Sequence, residues 1–304
     1  LFKNLIVYRV GPEWAASSSE LEAGLAKSMF LECGPTQPVS AGWVPPRGQA
    51  HGPLVEAVAN QWLMKLTIEQ RVLPSAVVKR RTTEMAAKIE QNTGRKPGKK
   101  QVKEIKEEVL LELLPQAFTK QASIQVWLNP AQRLLLIDAS SPARADEVVT
   151  HLVKAVDGIV LTPLHTAQSP AAAMSEWLTT GEPPHAFSVD RECELKSADE
   201  MKSVVRYARH ALDIDEVRQH IATGKVPTQL ALTWQGRVSI LLTEAMQLKK
   251  IAFLDGVFEG GKPGKDEAFD ADAAIATGEL SKLIPDLIDA LGGEHELGVP
   301  ALAA

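Results

Sequence analysis

The stretch that decides the architecture is residues 74–115, PSAVVKRRTTEMAAKIEQNTGRKPGKKQVKEIKEEVLLELLP. Val78, Thr82, Met85 and Ile89 recur at the three-to-four spacing of one helical face. Pro74 and Ser75 form a helix start, with Ser75 the expected N-cap. Asn92-Thr93-Gly94 and then Pro97-Gly98 break the helix. A second one follows, with Val102, Ile105, Val109, Leu110 and Leu113 on one face, and ends at Pro115. Two helices joined by a short Gly/Pro turn predict an αα-hairpin. Its apolar stripes are narrow and its outer faces crowded with charge, so it is expected to project from the body. Arg95, Lys96, Lys99 and Lys100 stand at its turn end.

Upstream, residues 2–10 alternate and are rich in β-formers, which predicts a strand. Ser17, Ser18 and Ser19 offer N-caps for a helix over Leu21, Leu25 and Met29. GWVPPRG (42–48) reads as a short strand closed by a proline turn, and WLMKLTIEQRV (62–72) as a further strand. Downstream, residues 124–128 and 134–137 flank Asn129-Pro130 as a β-hairpin. A helix over 143–156 and a strand over 159–161 follow. Residues 169–184, rich in Ala, Thr, Gly and Pro with a short helix at 174–178, mark a domain boundary. Beyond it, 192–196, 204–209, 230–234, 238–242 and 251–253 read as strands of a mainly antiparallel sheet, interrupted by a helix at 215–222. A last helix carries Leu280, Leu283, Ile284, Leu287, Ile288 and Leu291 on one face, with Thr277 as its cap and Gly292-Gly293 as its stop. The fold class is therefore α+β. Residues 1–74 and 115–168 form a central α+β domain, 75–114 a helical hairpin tip, and 169–304 a base α+β domain.

With 304 residues, 45% of them apolar and 23% charged, the chain can bury the cores of two domains. That composition excludes a disordered chain, a collagen-like fibre and a coiled-coil rod. No apolar run approaches the roughly 20 residues of a membrane span, and LFKNLIVYRV at the start is too short and too charged for a signal peptide. Two distant cysteines, Cys33 and Cys193, suit a reducing cytoplasm better than a disulfide framework. The net charge of −5 argues against a polyanion partner, but its distribution does not. Between Lys65 and Lys106 stand twelve basic and four acidic residues, a local balance of +8 that leaves the remainder at −13. Charge alone reads most simply as a solvated helical face; the asymmetry also fits a polyanion-facing one.

The search for chemistry finds no nucleophile, metal set or phosphate loop. GGKPGKD (260–266) is one residue short of a P-loop and ends in Asp where a hydroxyl is needed. His210 and His220 lack a zinc-like spacing. Asp266, Glu267, Asp270 and Asp272 could hold a hard cation, though a solvated acidic loop is the simpler reading. Cys193, in a strand, reads as a small buried hydrophobe, and the six dispersed tryptophans read as core. No catalytic residue, metal ligand or cofactor is expected. What remains is the cationic hairpin. Lys79, Arg80, Arg81 and Lys88 on its first arm, then Arg95, Lys96, Lys99 and Lys100, with Lys103 and Lys106 beyond, are what backbone phosphates of a duplex require. Few aromatics interleave, which favours duplex over stacked single strands.

Ten blocks now align with one family. They are FKNLIVYR (2–9), GWVPP (42–46), VLPSAVVK (72–79), LLPQAF (113–118), SEWLTTG (175–181), ECELK (192–196), GKVPTQLALTW (224–234), FDAD (269–272), TGEL (277–280) and LGGE (291–294). In order and spread over nearly the whole chain, they resemble the RdgC family of recombination-associated, nucleoid-associated DNA-binding proteins. The resemblance implies a non-enzymatic, cytoplasmic, nucleoid-associated protein that binds double-stranded DNA without much sequence preference. It implies a ring-shaped homodimer around the duplex that restrains the RecA recombinase in recombination and replication, with no membrane partner. It carries a DNA-facing role to Arg95, a gate aromatic to Phe118 and a polar gate pair to Arg209 and His210. The chain departs from the family at Gln116, where relatives often have Arg, and at Arg209-His210, where Lys-Gln is usual. Two other readings stay open: a protein-interaction inhibitor whose basic arms meet an acidic partner, and a metal-dependent nuclease using the late acidic cluster.

Overall fold

The computed structural model describes residues 2–257 and 265–295, and for 265–267 the backbone alone. The described strands are β1 (Leu5–Val10), β2 (Val39–Val44), β3 (Glu56–Val58), β4 (Gln61–Val72), β5 (Phe118–Asn129), β6 (Leu134–Ile137), β7 (Leu161–Pro163), β8 (Phe187–Ser197), β9 (Val204–Ala208), β10 (Lys225–Trp234), β11 (Val238–Thr243) and β12 (Gln247–Phe253). The described helices are α1 (Ser18–Ala26), α2 (Ser75–Thr93), α3 (Lys99–Leu113), α4 (Pro142–Ala155), α5 (Pro170–Thr180), α6 (Asp215–Ala222) and α7 (Lys265–Ala290). This is a mixed α/β fold on one large antiparallel sheet. Ten strands run in the order β2-β4-β5-β6-β1-β12-β11-β10-β8-β9, while β3 pairs with β4 and β7 with β1.

The sheet is continuous from one half of the chain to the other because β1 pairs with β6 on one side and with β12 on the other. Sequence explains why these strands sit centrally. LLLI of β6 is buried along its whole length, and its side chains divide between two cores. Leu134 and Leu136 face α7, whereas Leu135 and Ile137 face the side covered by α1 and α4. A strand apolar on both faces needs a layer on each. The second core joins Leu21 and Leu25 of α1 and Val148 and Leu152 of α4 to Met64, Leu66 and Ile68 of β4. The first gathers Leu280, Leu283, Ile284 and Leu287 of α7 under β10 and β11.

Several local expectations need correction. Ser75 is not the N-cap of α2: Pro74 holds that position, with no side-chain cap, and Ser75 is the first helical residue. Thr277 is not a cap but an interior residue of a longer α7, its hydroxyl donating to the Ala273 carbonyl at 2.7 Å. The helix extends past it because residues 265–276 are rich in Ala, the best helix former, with acids near the helix N-terminus. Met29 lies beyond α1, exposed, and β3 was too short to carry a strand pattern.

Pro285 lies inside α7. Lacking an N–H, it leaves the Ser281 carbonyl without its helical donor. Gln132 fills the gap, its Nε2 donating to that carbonyl at 2.7 Å, while Asn129 Nδ2 donates to the Ser281 hydroxyl at 3.2 Å. The β5–β6 turn is thereby stitched to α7. Gly42 has a different reason. A Cβ there would stand 2.4 Å from the Phe30 backbone, so glycine is what lets the 28–30 segment lie along β2. The Trp43 N–H then donates to Ser28 and the Phe30 N–H to Trp43, which partly covers an edge strand.

Candidate nucleic-acid interface

Helices α2 and α3 pack on each other around a small core of their own: Val78, Ile105 and Val109, with Met85, Ile89, Leu110 and Leu113 half-buried beside them. Val102, expected inward, is exposed. Gly94 ends α2 at φ 66°, its N–H donating to the Glu90 carbonyl at 2.8 Å. That left-handed conformation suits glycine and lets the chain reverse towards Lys99.

Charge is graded along the pair. At the end near the sheet, cations meet acids. Arg81 Nη2 lies 2.6 Å from Glu112 of α3, and Glu84 is within 3.5 Å of Arg81 and 3.8 Å of Arg80. Glu112, and then Glu84, hold the Arg81 guanidinium above its ordinary pKa. Arg81 is thus a tie between the helices before it is a cation for any partner. Towards the turn the balance changes. From Lys88 to Lys103 there are six basic residues and one acid, Glu90. Lys88, Arg95, Lys96, Lys99 and Lys100 are exposed and form no ion pair among the described residues, as is also true of Lys79. Lys103 has Glu107 at 4.0 Å.

The backbone adds to this field. The N-cap of α3 is Gly98, without a side-chain hydrogen bond, and no acid stands in its first turn. Its free N–H groups and the positive end of its dipole therefore coincide with Lys99 and Lys100. Cations there are mutually unfavourable. An anion at the turn would relieve them.

Phe118 is the first residue of β5 and is 88% exposed, so its ring is no part of the core of the isolated chain. It pairs in register with Val72 of β4. Beside them lies a groove of about 620 Å³ lined by Pro38, Val72, Leu73, Leu110, Leu111 and Leu114 among others. Gln116 is exposed in a single 3-10 turn, Leu114–Gln116. Arg209 and His210 follow β9, the far edge of the sheet, with six strands between them and Phe118. One chain therefore does not bring the three together. Arg209 adopts φ 58°, the His210 N–H donates to the Arg191 carbonyl at 3.1 Å, and the His210 ring is 5.8 Å from that of Tyr207.

The remaining candidates have ordinary partners. Asp270 pairs with Arg47 at 2.5 Å, and the same guanidinium lies 4.7 Å over the Phe269 ring. The side chains of Asp266 and Glu267, and the glycine-rich loop at 258–264, lie outside the described residues. Among the described residues no three His, Cys, Asp or Glu side chains are grouped to hold a metal ion. Cys193 is buried, and burial pushes its thiol up to about 12. Five of the six tryptophans are buried, Trp62 only partly. No described helix is long and apolar enough to cross a membrane. Two residues that sequence reasoning passed over are Glu69 and Arg71, charged residues near the end of β4 that are heavily hydrogen-bonded.

Fold and charge define a mixed α/β protein that carries a cationic helix pair at the end of a broad antiparallel sheet. The chain belongs to the RdgC family, whose model, described as "RdgC: Putative exonuclease, RdgC", matches residues 1–294. It is 46% identical over 299 residues to the recombination-associated protein RdgC of Dechloromonas aromatica, covering 96% of this chain and 98% of that one. It is 46% identical over 298 residues to the protein of the same name from a Janthinobacterium species, covering 97% and 99%. To that of Bordetella pertussis it is 42% identical over 299 residues, covering 97% and 99%.

Proposed function

We propose that this protein binds double-stranded DNA through its phosphate backbone, as a ring-shaped homodimer around the duplex, and that it acts in recombination and replication by restraining RecA. In this reading it is nucleoid-associated in the cytoplasm and non-enzymatic. The helix pair (75–114) is a tip, 1–74 with 115–168 a central part, and 169–304 a base. Phe118 is the ring's gate aromatic, received by the partner subunit, and Arg209 and His210 are the polar gate pair.

The observation that carries this reading is the cluster of exposed, unpaired cations at the turn: Lys88, Arg95, Lys96, Lys99 and Lys100 around the uncapped start of α3. Cations held apart from acids and grouped on one exposed end suit phosphates, which they neutralise with release of counterions. Nothing in that cluster offers a planar ring to stack on a base, which agrees with backbone recognition. The names of the relatives supply the link to recombination.

The test is a titration of linear and closed circular duplex over a range of salt. Log affinity should fall by about 0.9 per phosphate neutralised for each unit of log salt, and circular duplex should be retained longer than linear once the ring closes. A flat salt response would end the electrostatic reading. Equal retention of both forms would remove encirclement, and Mg²⁺-dependent cutting of plasmid would replace binding with nuclease action.

A further inference from the structure

The helix pair has its own core, so its direction relative to the sheet depends on the two connections through which the chain leaves and re-enters it. One side chain spans both. Arg71, next to last in β4, sits two residues before the chain departs at Leu73. Its Nη1 donates to the Leu114 carbonyl at 3.2 Å and to the Ala117 carbonyl at 3.1 Å, just where the chain returns. Its Nε donates to Gly34 at 3.1 Å and its Nη2 to Cys33 at 3.2 Å, while its own N–H donates to the Pro38 carbonyl at 2.9 Å. Leu114 is the C-cap of α3, the negative end of the helix, where a cation is favoured; its carbonyl accepts the Ala117 N–H at 3.1 Å as well as the guanidinium.

Glu69, two residues earlier on the same face of β4, completes the clasp. Its carboxylate accepts the Cys33 N–H at 2.5 Å and the Gln121 side-chain amide at 3.0 Å. The loop at Cys33–Gly34 is therefore held by its N–H through Glu69 and by its carbonyls through Arg71. A planar guanidinium can serve four carbonyls from fixed directions; a lysine ammonium on a flexible stem cannot.

We infer that Arg71 is a positioning residue for DNA binding: its guanidinium fixes the angle at which the α2–α3 pair leaves the sheet and, through Ala117, the presentation of Phe118. The inference rests on the proposed duplex binding, but its geometric half is testable without DNA. Arg71 itself touches no phosphate in this scheme. Its loss should reduce the fraction of molecules with the pair correctly aimed, and apparent affinity scales with that fraction.

The experiment uses the full chain with spin labels at Asn92→Cys in the last turn of α2 and Lys154→Cys on α4, the two native thiols being buried. Double electron–electron resonance on labelled chain diluted into an excess of unlabelled protein, so that only the two spins of one subunit are read, should give one narrow distance distribution, broadened by Arg71→Ala. Should Arg71→Ala not fold, Arg71→Lys carries the test, with charge kept and the fork lost, and should also broaden it. If the aimed fraction falls to about a tenth, duplex affinity falls about tenfold with an unchanged salt slope. A distribution as narrow as that of the parent in a folded variant overturns the inference. So does a slope lowered by about 0.9, which would make Arg71 a phosphate ligand. If the parent protein does not bind duplex at all, the functional reading fails while the distance measurement still decides the geometry.

Discussion

Val72 and Phe118 stand directly opposite each other across β4 and β5, at the point where the helix pair leaves and rejoins the sheet, and both are exposed, Val72 at 44% and Phe118 at 88%. A directly opposed pair shares one face of the sheet. Two apolar side chains on the wet end of a ladder, next to an apolar groove, form a surface whose burial requires a partner.

Phe118→Ala should therefore leave the melting temperature nearly unchanged. The 3–5 kcal/mol cost of truncating a core phenylalanine does not apply to a ring already in water. The loss should appear in association: a buried aromatic anchor is commonly worth about 2 kcal/mol or more at an interface. Sedimentation together with retention on closed circular duplex checks this, and RecA should be restrained less. A large fall in melting temperature with unchanged retention would mean that the Phe118 ring stabilises the fold rather than the association.

Replacing Arg95, Lys96, Lys99 and Lys100 by Glu should weaken duplex binding and lower the salt slope without unfolding the protein. These residues are exposed and unpaired, and such surface changes usually cost within about 0.5 kcal/mol. Arg81→Gln should behave differently. It breaks the tie to Glu112, so thermal stability of the helix pair should fall more than the salt slope does. Equal slope changes from Arg81 and from the turn residues would contradict the charge gradient.

Gln132→Leu should destabilise the fold by about 1–3 kcal/mol, because the Ser281 carbonyl freed by Pro285 then has no donor. Urea unfolding measures it. Restoring a helical N–H with Pro285→Ala in the same chain should recover part of the loss. No recovery would mean the Gln132 bond matters for another reason.

Acid should destabilise the protein through carboxylates whose folded pKa is depressed. Arg237, hydrogen-bonded to Glu279 at 2.7 and 2.8 Å, holds that carboxyl below its ordinary value. The Cys33 N–H and the Gln121 amide do the same for Glu69. A depressed folded pKa gives stability that is complete above the unfolded value, near 4.5, and is lost as pH falls through the lower folded value. Asp138 opposes this, since burial raises its pKa despite N–H donors from Lys3 and Asn4. The melting temperature should thus fall more steeply between about pH 5 and pH 3 in the parent than in Glu279→Gln. Parallel curves would remove Glu279 from the acid response.

The sequence by itself determined most of the elements. Helical spacing at Val78, Thr82, Met85 and Ile89, the Gly94 stop, and the apolar runs of β4, β6, β10 and β11 are local signals, written in neighbouring residues and backbone preference. The cluster of cations at the turn was equally legible, because charge needs no fold to be counted. Tertiary structure decided what each signal was for. That β1 joins the two halves as one sheet depends on pairing with β6 and β12, residues more than a hundred positions away. That Arg81 spends its charge on Glu112 while Lys88 and Lys100 do not follows from which helix faces meet. In sequence Glu69 and Arg71 are two charges near the end of a strand; only the return of the chain at Leu114–Ala117 and the loop at Cys33 surrounds them with backbone groups. Hydrogen bonds to distant carbonyls leave no periodic trace, and so that clasp could be seen in three dimensions alone.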